Sequence, residues 1–88
     1  MDLLTKNRLE ERALHEVHTM FTEGDRDYLR GLPRPTLLEV METEFRFLGF
    51  YPYDDRETPL VLHTFLDEHL DQWRAQYLST QLRASHAR

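Results

Sequence analysis

Apolar residues recur at three- and four-residue spacings in three stretches of the chain, which is the pattern of amphipathic helices. The first stretch predicts a helix over residues 5–22, with a core face formed by Leu9, Ala13, Leu14, Val17, Met20 and Phe21. The second predicts a helix over residues 37–48, with a main apolar face of Leu37, Leu38, Met41, Phe45 and Leu48 and a second stripe of Val40 and Phe47. The third predicts a helix over residues 59–82, with a stripe of Leu62, Leu66, Leu70, Trp73 and Tyr77.

Residues that begin and end helices stand near these boundaries. Thr36 followed by Glu39 is a capping-box pattern, and Gly49 stands where a left-handed residue ends a helix. Thr58 and Pro59 suit the N-cap and the first position of the last helix. The chain therefore predicts an all-α three-helix bundle, with the middle helix most buried.

The connection between the first two predicted helices contains two glycines and two prolines, and it has room for a fourth short helical turn over residues 25–30. The alternation and β-branched runs that mark strands are missing from the sequence. With 88 residues, we expect one domain over residues 1–84 and a frayed tail over residues 85–88.

Composition narrows the environment of the protein. The chain has no cysteine, and its amino terminus carries charges from the second residue and no long apolar run. A short chain without disulfides suits a reducing compartment, and no segment resembles a signal peptide or a membrane span. The sequence predicts a cytoplasmic protein that does not enter a membrane.

The negative charge is concentrated. The net charge is −5, and between positions 54 and 71 six acidic residues face one arginine. Such a field favours a partner with a basic surface. The middle helix carries Glu39, Glu42 and Glu44 against Arg46, which makes it a poor reading helix for nucleic acid. A dimeric nucleic-acid-associated regulator stays open as an alternative.

Histidines offer a second alternative function, a metal- or ligand-binding bundle. On the first helix, Glu11, His15 and His18 share a face, and His63 and Asp67 on the last helix are candidates to complete a ligand set. The favoured interpretation is a solvated face with a Glu11–His15 pair, so no cofactor is predicted. No phosphate-binding loop, cysteine nucleophile or positioned serine is present, which argues against an enzyme.

The stretch GFYPYDD, residues 49–55, is long and aromatic for a connection between adjacent helices. One interpretation is that Phe50 and one tyrosine fold back and close the end of the bundle. The other is a partner-binding loop that combines rigid aromatic anchors with carboxylates. The candidate residues for this surface are Phe50, Tyr51, Tyr53, Asp54, Asp55 and Glu57.

The order of Tyr51–Pro52, Asp54–Asp55, Pro59 and Trp73–Arg74 resembles part of the recognition surface of colicin DNase immunity proteins, which are small, acidic and helical. That surface includes a Tyr-Tyr-Pro turn, an acidic loop and a final helix, and here Phe50 stands in place of one tyrosine. The resemblance covers a short part of the chain and does not indicate membership. It implies that an inhibitor with such a surface is physically reasonable.

Leucines on the last helix suggest one more surface. Leu60, Leu78 and Leu82 project away from its main apolar stripe, and they are candidates for a homodimer contact. Taken together, the sequence predicts a small acidic protein-binding module, acting as an inhibitor, adaptor or accessory subunit. It would engage its partner through the aromatic–acidic loop and the start of the last helix.

Overall fold

The chain folds into an all-α bundle, as the sequence predicts. In the computed structural model, residues 1–52 and 54–79 are described, and within them there is no β-strand. The helices in these ranges are α1 (Leu3–Glu23), α2 (Arg26–Arg30), α3 (Arg34–Phe47) and α4 (Glu57–Tyr77). The short helical turn expected over residues 25–30 is α2. Tyr53, Leu82 and the predicted tail of residues 85–88 lie outside the described residues.

Long-range contacts define the directions of the helices. The Met1 amine contacts Glu57 at one end of α1 and α4, and the ring of His18 lies 5.6 Å from that of Tyr77 toward the other end, so these helices run parallel. Arg34 contacts Asp71, and Glu42 contacts His63, so α3 runs antiparallel to α4. The result is an up-down-up arrangement of three long helices.

The central helix is α4, which corrects the expectation that the middle helix of the sequence is most buried. Helix α4 packs closely against both α1 and α3, whereas α1 and α3 approach each other less closely. The physical reason is that the second apolar stripe assigned to α3 contributes little to the core: Val40 is only half-buried against it and Phe47 is exposed. Helix α4 buries residues toward both neighbours.

The core follows the predicted stripes with some exceptions. Its largest fully buried side chains are Phe21, Phe45, Leu37, Met41, Leu66, Leu70 and Val17. The core face of α1 is a strict four-residue repeat from Leu9 to Phe21, and Leu14 lies beside this stripe and is exposed. Leu48, also assigned to the core, is 45% exposed because it follows the end of α3.

The predicted start of α3 is wrong. The helix begins at Arg34, before the proposed capping residue Thr36, and the Leu37 N–H donates to the Pro33 carbonyl over 2.9 Å. The side chain of Arg34 then ties this first turn to α4, donating to the Asp67 carboxylate over 2.6 Å and the Asp71 carboxylate over 3.1 Å. These bonds raise the pKa of Arg34 and lower that of Asp67.

The predicted extension of the last helix to residue 82 is also wrong, because α4 ends at Tyr77. Two arginines of α2 donate hydrogen bonds to carbonyl groups that would accept backbone N–H groups if α4 continued. Arg26 donates to the Tyr77 carbonyl over 3.0 Å, and Arg30 donates to the Leu78 carbonyl over 2.7 Å. Leu78 turns into the core and is 3% exposed. Helix α2 thus closes this end of the bundle, which we call the α2 end.

None of the described helices is both long enough and apolar enough to span a membrane.

Candidate functional site at the loop end

The opposite end of the bundle is called the loop end here. It contains the first turns of α1 and α4, the last turn of α3 and the loop of residues 48–56 that joins α3 to α4. The five described residues of the predicted partner-binding surface, Phe50, Tyr51, Asp54, Asp55 and Glu57, belong to it, which makes it the candidate site.

The loop begins with a backbone motif that fixes the position of Phe50. Gly49 has φ of +74°, as predicted for a left-handed residue at this position. The Gly49 N–H donates to the Arg46 carbonyl over 3.1 Å, and the Phe50 N–H donates to the Phe45 carbonyl over 3.2 Å. This is a Schellman motif, and its usual apolar contact is present because the rings of Phe45 and Phe50 meet edge to face at 4.6 Å.

The first two aromatic residues of the loop face the bundle. Phe50 and Tyr51 are half-buried and pack against the core. The guanidinium of Arg12, from α1, lies 4.3 Å from the centre of the Phe50 ring and covers its outer side. These contacts match the interpretation in which Phe50 and one tyrosine close the end of the bundle. Tyr53 lies outside the described residues.

The acidic residues of the loop have different surroundings. Asp55 starts α4, because its carboxylate accepts from the Glu57 N–H at 2.9 Å, from the Thr58 N–H at 3.0 Å and from the Thr58 hydroxyl at 2.6 Å. The two bonds from Thr58 hold the pKa of Asp55 below its ordinary value. The prediction that Thr58 caps this helix is wrong, since its hydroxyl donates to Asp55 and α4 begins at Glu57. Asp54 is exposed.

Glu57 joins the starts of α1 and α4. The Met1 amine donates to its carboxylate over 2.6 Å, and this bond raises the pKa of the amine. Asp2 caps α1 by accepting the Thr5 N–H over 2.7 Å, which lowers the pKa of Asp2. Of the three predicted carboxylates, Asp54 is therefore the one that has no hydrogen bond or ion pair within the described chain.

Exposed apolar side chains are concentrated at the loop end. Phe47 is 86% exposed, although the sequence pattern assigned it to an apolar stripe. Among the described residues, the large hydrophobic side chains exposed at this end are Met1, Leu3, Leu4, Phe47, Leu48 and Leu60. At the α2 end Leu29 and Leu78 are buried, and Tyr28 is the exposed aromatic residue. The two ends of the bundle therefore differ sharply in how well they cover apolar surface.

A groove lined mainly by charged residues of α1 adjoins the loop. Its volume is about 490 Å³, and it is lined by Arg8, Glu11, Arg12, His15, Glu16 and Phe50. Arg8 forms no ion pair with any residue that the structure describes. Arg8 and Arg12 were not singled out by the sequence pattern, because nothing in the spacing of α1 shows that the loop after α3 lies beside them.

The structure does not bring together the residues of the metal-binding alternative. His15 and His18 are exposed, and Nδ1 of His18 lies 3.2 Å from the Tyr77 hydroxyl. His63 is paired with Glu42 over 2.6 Å, and Asp67 is bound by Arg34. Glu11 lines the groove of the loop end. Within residues 1–52 and 54–79 no three histidine or acidic side chains form a group able to hold a metal ion.

The residues of the predicted dimer surface are separated. Leu60 is 69% exposed in the first turn of α4, whereas Leu78 is buried at the opposite end. The expectation that Leu78 projects from its helix is wrong, because α4 ends before it and the chain turns inward. Leu82 lies outside the described residues.

No protein-family model, curated protein or solved structure matches the chain. Function is therefore inferred from the geometry of the chain itself.

Proposed function

We propose that the protein is a small binding module that engages another protein through its loop end, as an inhibitor, adaptor or accessory subunit. The observation that carries this proposal is the exposure of Phe47. An aromatic side chain that is 86% exposed at the end of a helix contributes almost nothing to the core. Large apolar side chains in such positions are typical anchors of protein interfaces.

Other exposed apolar side chains at the loop end support an interface. Leu3, Leu4 and Leu60 are 60–71% exposed in the first turns of the other two long helices. Asp54 and Arg56, on the loop at the same end, are exposed and charged. An end of the molecule that presents both exposed apolar side chains and exposed charges has the composition of a protein-binding surface.

The loop that contributes Asp54 to this surface is held at both ends before any partner binds. The Schellman motif at Gly49 fixes its start, and the Asp55 cap fixes its end. Phe50 and Tyr51 anchor it to the core. A loop that is already ordered loses little conformational entropy when it binds, so less of the free energy of its contacts is offset by the cost of ordering. In this proposal Phe50, Tyr51 and Asp55 support the surface from within, while Phe47 and Asp54 touch the partner.

The test is affinity capture from a lysate of the source cell, quantified by mass spectrometry, with the wild-type chain and two serine variants. Phe47→Ser should keep the melting temperature and lower recovery of the partner at least about tenfold, as loss of an interface anchor does. Tyr28→Ser is the matched control, because Tyr28 is an aromatic residue that is 56% exposed at the α2 end. It should recover the partner like the wild type. Equal recovery by all three chains would contradict the proposal.

A further inference from the structure

A groove between α1 and α3 forms a second surface, beside the loop end. Helix α4 packs closely on both of these helices, while they approach each other less closely. The groove lies on the α2 half of this opening and has a volume of about 340 Å³. Its floor is apolar: Leu29 is buried, and Met20 and Val40 are half-buried against the core.

The rim of the groove carries charge of one sign. Among the described residues that line it, the four charged side chains are Glu16, Glu23, Asp25 and Glu44, and none is basic. The carboxylates of Glu16, Glu23 and Glu44 form no ion pair within the described part of the chain. The apolar floor can contribute binding affinity, and the carboxylates around it, which have no counter-charge, can contribute specificity for a basic partner.

Basic residues of α1 border this acidic surface on one side. Glu16 also borders the groove of Arg8 and Arg12, so the acidic stretch ends where the loop end begins. In the neighbouring groove between α1 and α4, Glu10 is already paired with Lys6. The α1–α3 groove is therefore an acidic and apolar strip with basic residues of α1 on one side, while Glu39 and Glu44 extend the acidic surface into the adjoining groove on α3.

We infer that this groove binds a basic amphipathic helix of a partner protein. A helix laid between α1 and α3 would complete a four-helix arrangement, with its apolar side on Met20, Leu29 and Val40. Lysine or arginine residues flanking that apolar side would meet Glu23 and Glu44 on the two walls. Glu44, in the last turn of α3, borders the loop end, but Phe47 does not line this groove, so Phe47→Ser leaves its lining intact.

The probe is a synthetic peptide of about 18 leucine and lysine residues, about five helical turns, with its leucines at helical spacing. A peptide with the same composition in scrambled order is its control. Fluorescence anisotropy with the full chain should show at least about tenfold tighter binding of the amphipathic peptide, with affinity falling as salt is raised. Phe47→Ser should bind this peptide like the wild type, which separates this proposal from the loop-end proposal.

Two charge-matched double variants locate the site. Glu23→Gln with Glu44→Gln should weaken peptide binding about tenfold, whereas Glu11→Gln with Glu68→Gln should change it less than about twofold. Both pairs remove two negative charges from exposed or half-buried positions, but only the first pair lines the groove. Val40→Ser should also weaken binding by removing an apolar contact from the floor.

Several results would overturn the inference. If the scrambled peptide bound as tightly as the amphipathic one, the binding would be nonspecific attraction to the net negative charge of the protein. The same conclusion would follow if the two charge-matched double variants lost equal peptide affinity. A doubled mass in light scattering that Val40→Ser abolishes would assign the groove to a second copy of the chain. Tighter peptide binding after Leu82→Ser would assign it to the carboxyl-terminal segment of the same chain.

Discussion

Gly49 sets the direction in which the chain leaves α3. Its φ of +74° lies in the region that residues with a Cβ atom disfavour, and an added Cβ would meet no atom within 4 Å. Gly49→Ala should therefore lower the free energy of unfolding by about 1–2 kcal/mol through backbone strain alone. Gly31→Ala is the control, because Gly31 already has right-handed helical angles and room for a methyl group. Urea unfolding that shows equal losses for both variants would contradict this assignment.

Phe45 and Phe47 are two residues apart on α3 and have opposite roles. Phe45 is fully buried beneath Phe50, and Phe47 is 86% exposed. Phe45→Ala should lower the free energy of unfolding by about 3–5 kcal/mol, as a buried aromatic residue does on truncation. Phe47→Ala should change it by less than about 0.5 kcal/mol. A large stability loss in Phe47→Ala would place Phe47 in the core and remove the main support for a binding surface.

This pair of residues shows how far the sequence predicts the site. Residues two apart on a helix point to different sides, so the spacing alone separates Phe45 from Phe47 once the helix is placed. The same spacing does not reveal whether another element covers the second side. The sequence correctly places Gly49 in the left-handed region, because that conformation depends on local backbone sterics.

At the scale of elements, the positions and number of the long helices follow from local periodicity, whereas their ends depend on distant groups. Threonine is common at helix N-caps, which is why the sequence predicts that Thr36 and Thr58 cap α3 and α4. The structure instead begins α3 at Arg34 and α4 at Glu57. The end of α4 is set by Arg26 and Arg30, which lie about 50 residues earlier in the chain. Sequence spacing contains no information about such contacts.

Arg30 tests the role of α2 as a closing element. Its guanidinium donates to the Leu78 carbonyl, where the last carbonyls of α4 need partners. Arg30→Gln should lower the free energy of unfolding by about 1.5 kcal/mol, the usual contribution of a hydrogen bond from a charged group. Arg46→Gln, an exposed site in the last turn of α3, should change it by less than about 0.5 kcal/mol. If Arg30→Gln lowered the free energy of unfolding no more than Arg46→Gln does, the contact of α2 with the end of α4 would not stabilise the fold.

For the whole molecule, folding stability should depend on pH at both extremes. Hydrogen bonds lower the pKa of Asp2, Asp55 and Asp67 below the ordinary value of 3.8. Their stabilisation is complete above that value and is lost as the pH falls through the lower folded values. The pKa of the Met1 amine is raised above 8.0, so its contribution is complete below pH 8.0 and is lost as the pH rises through the folded value.

Urea unfolding over a series of pH values measures this dependence. Asp55→Asn should be less stable than the wild type at neutral pH and should lose less stability on acidification. Asp54→Asn is a matched control at the neighbouring exposed position, and it should keep the acid dependence of the wild type. If Asp55→Asn lost as much unfolding free energy on acidification as the wild type, the capping carboxylate of Asp55 would not contribute to the acid dependence of stability.

The most direct test of the loop-end proposal is hydrogen–deuterium exchange of the chain alone and bound to the captured partner. Within the described residues, the amides of Leu3, Leu4, Tyr51 and Asp54 donate no hydrogen bond, so they should exchange quickly in the free chain. The proposal predicts that these amides become protected in the complex while those around Tyr28 exchange as before. Protection confined to the α2 end, with unchanged exchange at Leu3, Leu4, Tyr51 and Asp54, would contradict it.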